Sequence, residues 1–282
     1  MSSRIHPCHP QAKPDFLLRV LRAFVVNPPF MKFRLLFLFA FVCLANLPAV
    51  EPAPAPKQPV MVIVHGAWGG GWQFKKVAPL LEAHGYRVYR PSLSGLGEHF
   101  NTASPTIGLA THIDDIVNFI LFEDLHDIIL LGHSYGGMVI TGVADRIPER
   151  IHRLVYLDAF LPSDGESALS LQKSGAVSLA DKAKDGFIAP WWVRPGKPYP
   201  IDVPHPLKTL TDPIVLKNPA AAKIPTTFIL TVEKGKKPED DDFYASAQRA
   251  RALGWPVIQM EANHNPEWFL PEATADLLSS IR

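Results

Sequence analysis

The stretch from Asp127 to Asp145 leaves this chain few ways to fold. Asp127–Leu131 (DIILL) is short and, after its aspartate, wholly apolar. It runs straight into Gly132-His133-Ser134-Tyr135-Gly136-Gly137, and an apolar segment with helical spacing follows to Asp145. Apolar residues without polar alternation are what a strand covered on both faces requires. Glycines on either side of Ser134 permit a turn tighter than side chains allow. The reading is strand, sharp turn, helix.

The same rhythm runs along the rest of the chain from residue 59. Val60–Val64 (VMVIV) predicts another doubly covered strand. Val77–His84 predicts a helix ended by Gly85, and Tyr86–Tyr89 a strand. Leu109–Phe122 places Ile113, Ile116, Val117 and Ile120 on one helical face. Leu154–Leu157, Thr227–Val232 and Val257–Met260 predict further strands, and Pro271–Ile281 a terminal helix. Strands alternating with helices define an α/β fold with a mostly parallel, doubly wound sheet. From about residue 161 to 224 the rhythm breaks into a segment rich in Pro, Gly, Ser and Trp. So long an interruption inside a domain predicts a functional insertion, here a cap over the strand ends.

Residues 1–58 read as a leader and linker rather than as fold. Lys32 and Arg34 precede the apolar run Leu35–Ala45, and the proline-rich Glu51–Pro56 follows. The run suits the core of a secretory signal spanning residues 31–49, and it is shorter than the roughly 20 residues that span a bilayer. The expected location is secreted or periplasmic, with an uncleaved membrane anchor as the alternative. Cys8 and Cys43, the only two cysteines, both lie in this leader. The domain from residue 59 to 282 therefore has neither a disulfide nor a thiolate metal site. A net charge of +1 gives no reason to expect a nucleic-acid partner, or a membrane partner for the mature domain.

The Gly132–Gly136 segment is a G-x-S-x-G motif in the strand–turn–helix setting that exposes a serine nucleophile. Acyl transfer also needs two backbone donors for the oxyanion, one just after the nucleophile and one from an earlier strand–helix loop. Tyr135 N–H and Ala67 N–H, the latter in His65-Gly66-Ala67-Trp68 after the first strand, are the candidates. His65 is expected to hold its loop by hydrogen bonding, and Trp68 and Trp72 to pack, with a pocket position open for Trp68. His264, after the last strand and before the terminal helix, stands where the general base belongs in the order Ser…Asp/Glu…His. The acid has three candidate locations: Asp158 at the end of Val155–Asp158, then Glu233 after Phe228–Val232, then the cluster Asp240–Asp242. Asp158 is preferred, because no aspartate directly follows the later strand.

At these motifs the chain resembles the small α/β-hydrolases that include plant methyl-salicylate-type esterases, hydroxynitrile lyases and many bacterial esterases. His65–Trp72 is similar to that group's first-loop motif, Leu131–Ile140 to its nucleophile elbow, and Leu154–Pro162 to its later sheet. The resemblance runs from about Val60 to the C-terminus and is weakest in the cap. It implies an oxyanion donor at Ala67. Many members carry the acid after the next-to-last strand, a register that falls near Lys234 here, whereas others use the earlier strand end, as at Asp158. The lyases have threonine at the position of Gly66 and lysine at that of Asn265, so the resemblance implies hydrolysis.

The sequence therefore predicts a cofactor-free serine hydrolase acting on a small-molecule carboxylic ester or lactone, small to medium and apolar, with no metal. A lyase on the same scaffold and a non-catalytic ligand-binding homologue are the alternatives, since one fold hosts many activities.

Overall fold

The computed structural model describes residues 58–173 and 178–281, so the leader, its two cysteines and most of the proline linker lie outside the described residues. Six strands make one sheet, namely β1 (Val60–Val64), β2 (Arg87–Tyr89), β3 (Ile128–Ser134), β4 (Ile151–Ala159), and two that enter after the insertion. The insertion contributes β5 (Ala183–Lys184), β6 (Phe187–Ile188) and β7 (His205–Pro206), after which β8 (Thr226–Val232) and β9 (Val257–Glu261) complete the sheet. The sheet order is β2-β1-β3-β4-β8-β9, and every neighbouring pair is parallel.

Alternation of side chains splits the core between the two faces. Met61, Ile63, Ile129, Leu131, Val155 and Leu157 pack with α1 (Val77–Ala83) and the C-terminal helix Pro271–Ser280. Val62, Val64, Leu130, Leu154 and Tyr156 face α2 (Leu109–Phe122) and α3 (Gly136–Arg146). Burial on both faces explains the unbroken apolar runs in the sequence. The buried positions of α2, at Leu109, His112, Ile113, Ile116, Val117 and Ile120, follow helical spacing along one stripe.

The strands extend beyond the apolar runs that predict them. β3 continues through Gly132 and His133 to Ser134, because β1 pairs with it as far as Gly132 and β4 supplies partners for His133 and Ser134. β4 begins at Ile151, three residues before its apolar stretch. The insertion is not wholly irregular. β5, β6 and β7 form a three-stranded antiparallel sheet, followed by the single-turn α4 (Lys208–Thr211). Strands of two residues carry no periodicity, so nothing in the sequence marks them. The insertion is fastened to itself by Gly165 N–H to Ile214 O and Ile214 N–H to Glu166 O, both at 2.8 Å. It reaches the loop after β1 through Val203 N–H to Trp68 O at 2.9 Å.

The topology fixes where a ligand site can form. From β1 the chain moves outward to β2 and then returns to β3 on the other side of β1. That reversal leaves a crevice outside the C-terminal ends of β1 and β3, the usual ligand position in open α/β sheets. Helix α3 begins there in close contact with main chain. A Cβ on Gly136 would stand 2.5 Å from Val64 O, and one on Gly137 would stand 2.1 Å from Phe160 O. Backbone carbonyls cannot swing aside as a flexible side chain can. We expect Gly137→Ala to cost about 1–3 kcal/mol, a loss of roughly 3–10 °C in the thermal unfolding midpoint. A midpoint equal to the parent's would contradict this contact.

Candidate active site

Ser134 is the last residue of β3, with a φ of 56° in the left-handed region that non-glycine residues seldom adopt. Such strain persists where the surrounding structure imposes it. Here the pairing of Ser134 with β4 holds one side, and the start of α3 holds the other. The turn leaves Ser134 half-buried between fully buried neighbours, facing a cavity of about 360 Å³.

Asp158 lies on the adjacent strand. His133 pairs with Leu157 and Ser134 with Ala159, so Asp158 is an extra residue in β4, a bulge with a φ of 46°. Bulges re-aim a side chain at the end of a ladder. This one directs a fully buried carboxylate toward the loop after β9. Asp158 Oδ1 accepts the Thr231 backbone N–H at 3.0 Å, and Oδ2 accepts His264 Nδ1–H at 2.6 Å. His264 Nε2 in turn lies 3.0 Å from Ser134 Oγ. With Nδ1 donating, Nε2 presents its lone pair to the serine hydroxyl.

Two rings pack against the imidazole of His264. Phe243 stacks on it with centroids 5.0 Å apart and planes 8° from parallel, and the tilted ring of His133 lies 4.7 Å away. His133 Nε2–H also donates to the His264 carbonyl at 2.7 Å. Burial pushes the His264 pKa down, but the Asp158 hydrogen bond and charge, with Glu267 and Asp241 adding to them, carry it above the ordinary histidine value. The neighbouring acids respond to the same surroundings. Burial and the charge of Asp158 push Asp241 up to about 6, and burial pushes Glu267 up to about 8.

The structure thus brings Ser134, His264 and Asp158 into one hydrogen-bonded line. The other acid candidates fall elsewhere. Glu233 is exposed and paired with Lys236 at 2.6 Å, and Asp240 accepts the Lys237 N–H at 3.1 Å. Asp241 and Asp242 line the cavity, where Asp241 accepts Phe243 N–H at 2.8 Å. Ala67 and Tyr135 line the cavity beside Ser134, with Tyr135 at the N-cap of α3. His65 holds its loop, its Nδ1–H donating to Gly66 O at 2.8 Å and its Nε2 accepting Leu93 N–H at 3.1 Å. Trp72 packs edge-on against Trp268, and Trp68 lines the cavity. Phe243 and His133 are site residues that sequence reasoning missed, and of these only His133 had a signal, its place inside the motif. Trp191 and Trp192, which belong to the Trp-rich insertion read from the sequence, also line the cavity.

Residues 61–277 match the alpha/beta hydrolase family, and the chain belongs to it. It is 34% identical over 240 residues to the carbendazim hydrolyzing esterase of Nocardioides sp. strain SG-4G, covering 78% of this chain and 98% of that one. To salicylic acid-binding protein 2 of Nicotiana tabacum it is 32% identical over 134 residues, covering 46% of this chain and 51% of the other. An extracellular alpha/beta-hydrolase from a Paenibacillus species shares its fold, with a TM-score of 0.66 at 24% identity over 79% of this chain and 98% of that one.

Four buried histidines away from the reacting line make stability depend on acid. Burial lowers His65 and His112 to about 4, and it holds His133 and His205 well below the usual range. The unfolded chain therefore binds protons that the folded chain refuses. This stabilisation is complete above the ordinary value of about 6.5 and is lost as pH falls toward the folded values, each group contributing up to about 1.4 kcal/mol per pH unit within that window. His264, with its raised pKa, works in the opposite sense above pH 6.5, and the raised carboxyls of Glu267, Asp241 and Asp202 do so at lower pH, where the four histidines outnumber them. We expect a thermal midpoint that falls between pH 6.5 and 4, where the four histidines outweigh the raised carboxyls. A midpoint constant from pH 7 to 4.5 would show these groups to be solvated.

Proposed function

We propose that this chain is a serine carboxylic-ester hydrolase working through an acyl-enzyme on Ser134, with His264 as the base, Asp158 as the acid, and Ala67 and Tyr135 N–H groups as oxyanion donors. The single observation that carries the reading is the continuous line Asp158–His264–Ser134, at 2.6 Å and 3.0 Å, opening on the cavity. The relatives named as esterases support the same reaction class.

In this reading Ser134 Oγ attacks the ester carbonyl carbon as its proton passes to His264 Nε2. The developing imidazolium is stabilised by Asp158, which remains ionised. Negative charge on the carbonyl oxygen meets the two backbone donors and the N-terminal end of α3. Collapse of the intermediate breaks the bond to the alkoxy oxygen, which leaves as alcohol with the proton from His264. Water then enters, gives its proton to the same Nε2, and releases the acid and free Ser134.

The cavity sets the substrate class. Trp68, Trp191, Trp192, Phe160 and Phe243 give it aromatic walls, and about 360 Å³ accommodates a small to medium apolar ester or lactone. The segment from about Leu161 to Lys223 supplies the two cap tryptophans and so acts as the cap of the domain. We propose also that the protein is exported, on the strength of Lys32, Arg34 and the apolar run Leu35–Ala45. Sequencing the N-terminus of material from its host should find a start between Ala45 and Ala55. Intact Met1 or Met31 in a membrane fraction would mean an anchor instead.

Ser134→Ala should abolish both turnover of short chromogenic esters and labelling by a fluorophosphonate, with the fold retained. Asp158→Asn should lower kcat by roughly three to four powers of ten, while Glu233→Gln changes it little. Because His264 must be neutral to act and its pKa is raised, the acid limb of kcat/KM should lie above 6.5. Ester turnover in Ser134→Ala within tenfold of the parent, or an acid limb well below 6.5, would defeat these assignments.

A further inference from the structure

Trp68 directly follows the Ala67 donor, and its φ of 62° places it in the left-handed region. For a bulky aromatic residue that is a strained conformation, kept only where neighbours over-determine it. Three hydrogen bonds do so here, and all three come from the cap. Trp68 N–H donates to His205 Nδ1 at 3.1 Å. Its carbonyl accepts Val203 N–H at 2.9 Å, and its indole N–H donates to the Ile188 carbonyl at 2.9 Å.

His205 lies in β7 and is fully buried. Its partners determine its tautomer. Nδ1 accepts from Trp68, so Nε2 carries the hydrogen and donates to Thr209 Oγ1 at 2.6 Å, which donates onward to Pro206 O at 2.8 Å. The same imidazole packs against the ring of Trp68 at 5.6 Å and that of Tyr135 at 5.2 Å. One cap side chain therefore touches residues of both arms that present the oxyanion donors, the main chain at Trp68 and the side chain at Tyr135.

We propose that His205 is a positioning residue of the oxyanion hole: by accepting the Trp68 N–H it holds Trp68 in the left-handed turn that aims Ala67 N–H at the reacting oxygen. This rests on the roles proposed above for Ser134 and Ala67. The cap is then part of the machinery that stabilises the transition state, and a shift of β7 reaches the reacting oxygen through one hydrogen bond. Such an effect belongs to the transition state, because the donor gains most when the oxygen carries charge.

The test compares His205→Asn, His205→Gln and His205→Leu in the full chain. The asparagine amide oxygen falls near the place of Nδ1, whereas glutamine reaches toward that of Nε2. Three quantities are measured: kcat and KM on a short-chain ester, the affinity for a trifluoromethyl ketone, whose adduct on Ser134 puts a charged oxygen in the hole, and the thermal midpoint. His205→Asn should stay within about threefold of the parent, while His205→Gln and His205→Leu lose roughly 10–100-fold in kcat, with KM within about twofold. Ketone affinity should fall by the same factor as kcat. Should His205→Leu fail to fold, the asparagine–glutamine pair decides alone, since both are polar and of similar bulk. Equal kcat for that pair, a loss confined to KM, or undiminished ketone affinity overturns the proposal and reduces His205 to packing. A parent protein that neither hydrolyses the ester nor takes up a fluorophosphonate overturns the hydrolase reading, and this proposal with it.

Discussion

Val64 pairs with Gly132 at the C-terminal ends of β1 and β3, and the site depends on that adjacency. It puts the loop His65–Trp68 beside the turn at Ser134 without any long-range loop having to find its place. The close contact of Gly136 with the Val64 carbonyl sets how near the two segments stand. Both sheet faces are buried, so a one-residue slip would turn apolar side chains into the wrong core and move Ser134 off the rim. Register is therefore strongly enforced, and the strained φ of Ser134 is held by the same ladder that stabilises the fold.

The sheet was legible because its physics is local. Runs such as Val60–Val64 and the spacing of Ile113, Ile116, Val117 and Ile120 reflect burial that each element carries in its own sequence. Ser134 and His264 could be singled out because motif and chain order constrain them. The proposed acid was harder. Asp158 is aimed by a bulge, a mismatch of register with β3 that depends on two strands and is invisible in either alone. The strands of the cap escaped for a related reason, since two residues show no period. Phe243 stacks on His264 from a polar run whose composition resembles a solvated loop.

Histidine has two opposed tasks in this domain. His264 is tuned upward by Asp158, as its proposed role as base requires, while His65, His112, His133 and His205 are kept neutral by burial. A neutral imidazole donates from one nitrogen and accepts at the other, so it can bridge two backbone segments that both need a partner. His65 does this between Gly66 and Leu93, and His112 ties the Ser94 carbonyl to the Tyr135 side-chain hydroxyl. Lysine or arginine cannot accept, and a carboxylate cannot donate. Neutral imidazoles are thus well suited to fix the main chain around a reacting centre without adding charge to it.

The three tryptophans Trp68, Trp191 and Trp192 form one edge-to-face cluster, with Trp68 from the sheet side and the others from the cap. The boundary between scaffold and cap therefore passes through the middle of an aromatic wall. Exchanging the cap for that of a relative is a modular operation for the proposed proton path, since Ser134, Asp158 and His264 all lie outside it. It is not modular for the wall or for the turn at Trp68. A transplanted segment has to bring its own counterparts of Trp191, Trp192, Val203 and His205, or the recipient loop loses the contacts that define its shape.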